Sequence, residues 1–227
     1  MKPTIFNYRF SVIKGLKRNP LIVFYILFTS FLFSCENKTT VDYGLDEYYV
    51  EIVTAQNENE FLSDNGKWIV ATEKRTYALG DRVLLNYTLL SSSTSENRYS
   101  VRINGSTKVP LGKITLSDDS SILSAANEPV LLESVWLGSH YLNMQFYFNY
   151  KSATHSIGLL TDSTHLESDT LRMYFTHDAN GDTAGYPTHA YISFNLEDII
   201  GAPGNARPVT VQINSSNYGN KTYEFEY

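Results

Sequence analysis

The 227-residue sequence predicts an all-β protein, a small barrel followed by a sandwich, carried behind a secretory leader. Three observations lead there. Short segments in which apolar and polar residues alternate recur throughout residues 46–227, with Gly, Asn, Asp and Ser between them, the pattern of half-buried strands. These segments fall into two clusters separated by a polar stretch around 117–128. The only cysteine of the chain, Cys35, stands where an apolar run ends and a polar chain begins.

The leader comes first. Residues 1–20 carry Lys2, Arg9, Lys14, Lys17 and Arg18 with no acidic residue, and residues 21–33, LIVFYILFTSFLF, are almost wholly apolar, which matches the charged and hydrophobic regions of a secretory signal. A membrane-spanning helix needs ~20 apolar residues, and this run of 13 is followed directly by Ser34-Cys35-Glu36-Asn37-Lys38. Leu32-Phe33-Ser34-Cys35 resembles the lipobox of bacterial lipoproteins, in which cleavage falls ahead of a cysteine already carrying lipid, although Phe33 is bulkier than the usual residue there. The expectation is a signal peptide over 1–34, a lipid on Cys35, and a location in the cell envelope, at the outer membrane. The other reading of the same stretch is a free thiol in a short membrane anchor. Residues 35–45 are polar and aperiodic, as a tether is.

Composition bounds the remainder. From Cys35 onward there are 13 Lys plus Arg (18 less the five of the leader) against 24 Asp plus Glu, a formal net charge of −11. Such a surface repels phosphate backbones and shows no basic cluster, so nucleic acid is excluded as a partner. With Cys35 committed to lipid, no thiol is left for a disulfide, a thiolate metal site or a nucleophile.

Residues 46–117 are expected to form the barrel. Tyr48, Val50 and Ile52 alternate with Tyr49, Glu51 and Val53, and the segments Phe61-Leu62 and Lys67 to Val70 flank Asn65-Gly66, a hairpin signal. Arg82 to Leu90 is the next strand, with Val83, Leu85, Tyr87 and Leu89 on one face. Tyr99 to Asn104 follows a serine-rich loop, and Asn104-Gly105 reads as a turn. So many short strands in so few residues suggest closure into a barrel.

Residues 118–128 are expected to be a linker holding one short helix capped by Ser or Asp and ending before Pro129. Residues 129–227 then form the sandwich. Around Val135-Trp136 and over Tyr141 to Tyr150, His155 to Leu160, Thr170 to His177, Thr188 to Leu196, Val209 to Asn214 and Thr222 to Tyr227 lie the six or seven strands of an Ig-like sandwich. Leu142, Met144, Phe146 and Phe148 mark its buried face, and Trp136 and Phe146 are assigned to its core.

ALGDRVLLNY at 78–87, VWLG at 135–138 with YLN at 141–143, HDANGD at 177–182 and ISFNL at 192–196 resemble the NigD-like lipoproteins of Bacteroides-type bacteria, over nearly all of the chain after the leader. The resemblance implies an N-terminal OB-like domain followed by a C-terminal β-sandwich, and an envelope location. It implies an association with a bacteriocin locus and brings no catalytic residue with it.

Candidate chemistry is sparse. Asp178, Asn180 and Asp182 around Gly181 have the spacing of the start of a calcium loop, but TAGYPTHA after them lacks a closing acid, so a turn built from Asx residues is the favoured reading and no metal is expected. His140, His155, His165, His177 and His189 contain no zinc-binding spacing and read as scattered loop or surface residues. No G-x-S-x-G elbow or Gly-rich phosphate loop occurs, and Asp118-Asp119 reads as a solvated pair. Seventeen tyrosines are the one excess, and Tyr141, Tyr147 and Tyr191, opposite the core faces, are candidates for a ligand platform or for plain strand formers. The function expected is that of a non-enzymatic, cofactor-free envelope lipoprotein presenting a binding or scaffolding surface to a protein or glycan; the alternative is a bacteriocin-associated immunity or handling protein.

Overall fold

Alternating strands of the first cluster wrap around a single set of apolar side chains. β1 (Tyr48–Ala55), β2 (Glu60–Ser63), β3 (Trp68–Ala71), β4 (Arg82–Ser93) and β5 (Arg98–Lys108) close into a barrel in the order β1-β2-β3-β5-β4. The β3–β5 pair is parallel and the other four are antiparallel. The structure is a computed structural model that describes residues 48–227 except 94, 167, 183 and 202–206; the expected signal peptide, Cys35 and the tether lie outside the described residues.

Val53, Phe61, Ile69, Val83, Leu85 and Val101 are fully buried inside the barrel, at the positions that alternation assigns to the inner face. The Asn65-Gly66 hairpin forms as expected, with Gly66 at φ +80°, a conformation open to glycine, and its N–H donating to Ser63 O at 3.0 Å. Asn104-Gly105 is not a turn. It lies within β5, where the register passes from Asn86↔Gly105 to Tyr87↔Ile103 and leaves Asn104 as the extra residue of a bulge. The Asn104 amide donates to Asn86 and Thr88, so the bulge is fastened by side chains, and it bends a long strand around a narrow barrel.

The second cluster forms a sandwich. β6 (Lys113–Ser117), α1 (Asp119–Ser124), β7 (Leu131–Gly138), β8 (Tyr141–Tyr150), β9 (Ser156–Asp162), β10 (Leu171–Asp178), β11 (Tyr186–Asn195), α2 (Glu197–Ile200), β12 (Pro208–Ser215) and β13 (Gly219–Glu226) follow in order. A five-stranded sheet, β13-β12-β10-β9-β6, packs on a three-stranded one, β11-β8-β7. Two pairs, β10–β12 and β6–β9, are parallel. Between the sheets Leu142, Met144, Phe146 and Phe194 meet Leu159, Met173, Val209 and Val211.

Two expectations are corrected here. The barrel does not extend to residue 117: its last strand ends at Lys108, and β6 pairs with β9 in the sandwich. A five-residue strand shows too little period to reveal its sheet, so only pairing with a distant segment decides where it belongs. The linker helix is present as α1, with the Asp118 carboxylate accepting the Ser121 N–H at 2.8 Å as its N-cap, so Asp118 and Asp119 are a cap and a first-turn acid.

The second correction is Trp136. A register shift in the β7–β8 pair between Leu132 and Ser134 places an extra residue there, so the inward parity passes from Leu132 to Val135 and Leu137, which pack on the core, and Trp136 faces outward, half-buried. Phe146 is fully buried as expected. Chemical denaturation should therefore separate the two: Phe146→Ala is expected to cost ~3–5 kcal/mol, and Trp136→Ala about 1 kcal/mol. Equal losses would mean that the bulge is misplaced.

Candidate functional site

The barrel and the sandwich belong to one compact unit, Asp46–Tyr227, and what joins them is polar. Arg82 opens β4 on the outer face of the barrel, yet its side chain has no solvent exposure because the three-stranded sheet covers it. Its guanidinium forms a fork with Asp64 of the β2–β3 hairpin (Nη1 to Oδ1 2.7 Å, Nη2 to Oδ2 2.8 Å) and donates to Thr54 of β1 at 2.8 Å. From the sandwich, the Asn143 carbonyl accepts from Nη2 at 3.0 Å, its amide donates to Asp64 at 3.0 Å, and the Ser193 hydroxyl donates to Asn143 at 2.7 Å. The Tyr141 ring completes the enclosure, with the guanidinium carbon 4.0 Å from its centroid.

The connecting chain adds to this junction. Pro110 and Gly112 exchange backbone hydrogen bonds with Ser193 on the edge of β11 (3.1 and 2.8 Å), so the crossover is held against the sheet. Gly138 marks a close approach of the sandwich to the hairpin, since a Cβ there would come within 2.5 Å of the Asp64 carboxylate. Of the tyrosines proposed as a platform, Tyr141 thus belongs to the junction and is buried.

Beside the junction lies an open groove of about 390 Å³, lined by Val50 and Ile52 of β1, Asp64 and Asn65 of the hairpin, and Trp136 and Gly138 of β7. β1 pairs with β2 only over Val53–Ala55, and β7 pairs in its sheet with β8 alone, so strand edges border the groove on both sides. The half-buried Trp136 indole stands at its wall. An indole, two acidic neighbours (Glu51 also lines the groove) and strand edges are the furniture of a site for an extended chain rather than for bond-breaking chemistry.

The calcium-like loop is used internally. Asp182 Oδ2 accepts the backbone N–H groups of Lys151, Ser152 and Ala153 at 2.8, 2.8 and 3.0 Å, and the bonds from Ser152 and Lys151 hold its carboxyl below the usual range. Asp178 accepts the Asn180 N–H at 2.8 Å, and the Asn180 amide donates to Thr154 O at 2.5 Å. The three residues fasten the 151–154 segment to the 178–182 turn. Among the described residues no group of three or more His, Cys, Asp or Glu could hold a metal ion.

The histidines are not all scattered. His155 and His177 meet in a pocket of about 200 Å³, with His155 Nδ1 2.9 Å from His177 Nε2. His177 Nδ1 donates to Glu128 O at 3.2 Å, which makes its Nε2 the acceptor of the His155 proton. His155 Nε2 is buried without a hydrogen bond, 3.7 Å from Asp182. Spacing could not show this, because His155, just before β9, and His177 on β10 are 22 residues apart. Burial pushes the His177 pKa below 6.5, the neighbouring His155 adds to this, and Glu128 and Asp178 oppose it.

The sign of the effect on stability follows. As pH falls through 6.5 the unfolded chain takes up the His177 proton before the folded chain does, so the contribution is fully present above 6.5 and is lost as pH descends toward the folded value. The melting temperature is expected to fall as pH drops below 6.5, with a flatter profile for His177→Gln. A profile identical to that of the unsubstituted protein would remove His177 as the cause.

The remaining tyrosines assemble. Tyr147 stacks on His189 (centroids 4.5 Å, interplanar 15°), and His189 lies 4.7 Å from Tyr191, on the outer face of the three-stranded sheet. Arg82 and Asn143 lie in segments that carry the family resemblance and His189 is one of the five histidines, but neither spacing nor composition links Arg82 to Asp64 and Asn143 or His189 to the tyrosines.

Residues 113–227 match the family described as NigD-like C-terminal beta sandwich domain, beginning where β6 begins. No curated protein matches the chain. Among solved structures, a protein of unknown function from Bacteroides vulgatus is 24% identical, with a TM-score of 0.68 over 80% of this chain and 91% of that one. A NigD-like immunity protein from Bacteroides caccae is 21% identical, with a TM-score of 0.57 over 82% and 98%. A protein from Parabacteroides distasonis described as toxin related is 19% identical, with a TM-score of 0.64 over 80% and 93%. At these identities the likeness concerns the fold.

Proposed function

We propose that this chain, which belongs to the NigD-like family, is a non-enzymatic lipoprotein of the cell envelope, anchored at the outer membrane, that offers the groove below Trp136 to a protein partner. The observation that carries this reading is the junction: a fully buried Arg82 network fixes barrel against sandwich and keeps a groove of about 390 Å³ at their border. A groove between rigidly coupled elements is preorganised, which lowers the ordering cost of binding. The leader ending at Cys35 supplies the anchor, and the net charge of −11 after it favours a partner with basic segments over an acidic one.

Site-specific photo-crosslinking in intact cells tests it. A crosslinkable residue at Trp136 is expected to give a discrete higher-mass adduct that the same residue at the exposed Tyr218 does not give. Identical patterns from both positions would sink the proposal. A second reading, immunity against a bacteriocin, is favoured by the fold likeness to a NigD-like immunity protein. Neighbouring genes discriminate: a bacteriocin precursor with its exporter favours immunity, and outer-membrane transport or polysaccharide genes favour a general binding role.

A further inference from the structure

We infer that His155 and His177 form an acid-released latch, which at neutral pH clasps the connection 151–155 over one end of the sandwich and on acidification frees it, together with the pocket behind it, while both sheets stay folded. The latch is separate from the groove and stands or falls without it.

Three connections of the sandwich converge at that end: 126–129 ahead of β7, 151–155 between β8 and β9, and 179–182 after β10. Side chains tie them together. Glu128 Oε2 accepts the Ala179 N–H at 2.5 Å, and Glu128 O accepts from His177 Nδ1 at 3.2 Å. The connection 151–155 is held by Asp182 at the N–H groups of 151–153, by the Asn180 amide at Thr154 O, and by His155 on His177. None of these bonds belongs to a strand ladder, so the connection can leave without opening a sheet.

The pair has room for one added proton and not for two. The ring planes lie 27° apart with centroids 5.1 Å apart, so the 2.9 Å bond from His155 Nδ1 to His177 Nε2 runs edge to edge. In the neutral pair this bond and the one to Glu128 O leave a single bare nitrogen, His155 Nε2, buried 3.7 Å from Asp182. A first added proton goes there, where the Asp182 carboxylate compensates its charge. A second must go to His177 Nε2, the acceptor of the bond between the rings. That bond then breaks, and two imidazolium rings face each other where both side chains are buried.

The titratable groups that face the pair are Asp182 from the turn, Glu128 from the segment ahead of β7, Asp178 from β10 and Tyr150 from β8, with the Phe148 ring beside them. Burial, reinforced by His155 and opposed by Glu128 and Asp178, disfavours the charged form of His177. The closed state therefore takes up fewer protons than the open one, and acid favours opening. Of the two rings His155 is the one that moves. His177 is fixed in β10 opposite Ile157 of β9, whereas His155 sits on a connection whose Lys151, Ser152 and Thr154 are exposed. Its departure uncovers the pocket of about 200 Å³ lined by Pro129, Asn149 and Ala179, and with it the Phe148 ring, 4.6 Å from His155.

Hydrogen–deuterium exchange of the full chain, purified in detergent, at about pH 7.5 and about pH 5 and corrected for the intrinsic pH dependence of exchange, tests this. The amides of 151–155 are expected to lose protection roughly ten-fold or more at the lower pH, while those of Leu142 to Phe146 in β8 stay protected. The loss should vanish in His177→Gln and in His155→Gln, since either leaves a single imidazole and no pair of cations; the β8 amides report whether each variant has folded. In the unsubstituted chain, NMR of the histidine rings should place the loss at the titration of His177, a readout that needs no variant. The inference is overturned by equal protection of 151–155 at both pH values, by a loss that persists in both folded variants, by a loss shared with β8, which would be global unfolding, or by a loss that does not follow the His177 ring.

Discussion

Arg82→Ala is expected to destabilise the protein by ~3–5 kcal/mol, because it leaves the mostly buried Asp64 carboxylate without its cation and strips Asn143 and Thr54 of a donor. The ion pair itself need not be a large source of stability: two charges taken from water lose hydration that their attraction only partly returns. The double variant Arg82→Met/Asp64→Leu should accordingly recover much of the loss, and the difference between single and double variants measures the coupling. A second readout concerns the junction. With Arg82 gone, barrel and sandwich keep their own cores but lose the group that five side chains share, so one cooperative transition should split into two when followed by probes in each part. A loss under about 1 kcal/mol with a single transition would show that apolar contacts alone hold the junction.

Cys35→Ala should move the protein out of the membrane fraction or leave the leader uncleaved. Each acyl methylene buried in the bilayer contributes ~0.8 kcal/mol, so two or three chains retain a domain of this size almost permanently, and without the thiol there is nowhere to attach them. Metabolic labelling with a fatty acid should mark the unsubstituted chain and not the variant. Label that persists in the variant would place the anchor elsewhere, and an unlabelled chain that stays in the membrane in both forms would favour the uncleaved apolar run as the anchor.

Much of the fold was legible because strand periodicity is local. Val83, Leu85 and Tyr87 turn inward in the barrel, and Leu142, Met144 and Phe146 turn inward in the sandwich, at the positions alternation assigns. Two misreadings occurred where one residue breaks the period. The bulge at Asn104 resembles a turn in composition, and the bulge after Leu132 reverses the parity that would bury Trp136. At Asp178, Asn180 and Asp182 the local signal is that of an Asx turn, and the peptide groups that Asp182 accepts lie 29 to 31 residues away, where no local pattern points to them.

By itself the sequence determined the acidic balance, the all-β class and the two strand clusters, all of which depend on composition or on neighbours a few residues apart. Tertiary structure alone decided which polar residues matter. Arg82 finds Asn143 61 positions away and Ser193 111 positions away, and His155 meets His177 22 positions away. Tyr141 and Tyr147, six residues apart on the same face of one strand, part company because the barrel covers the first and leaves the second to solvent. Burial of that face depends on what docks against it, and docking is a property of surfaces assembled from distant segments, which no local pattern encodes.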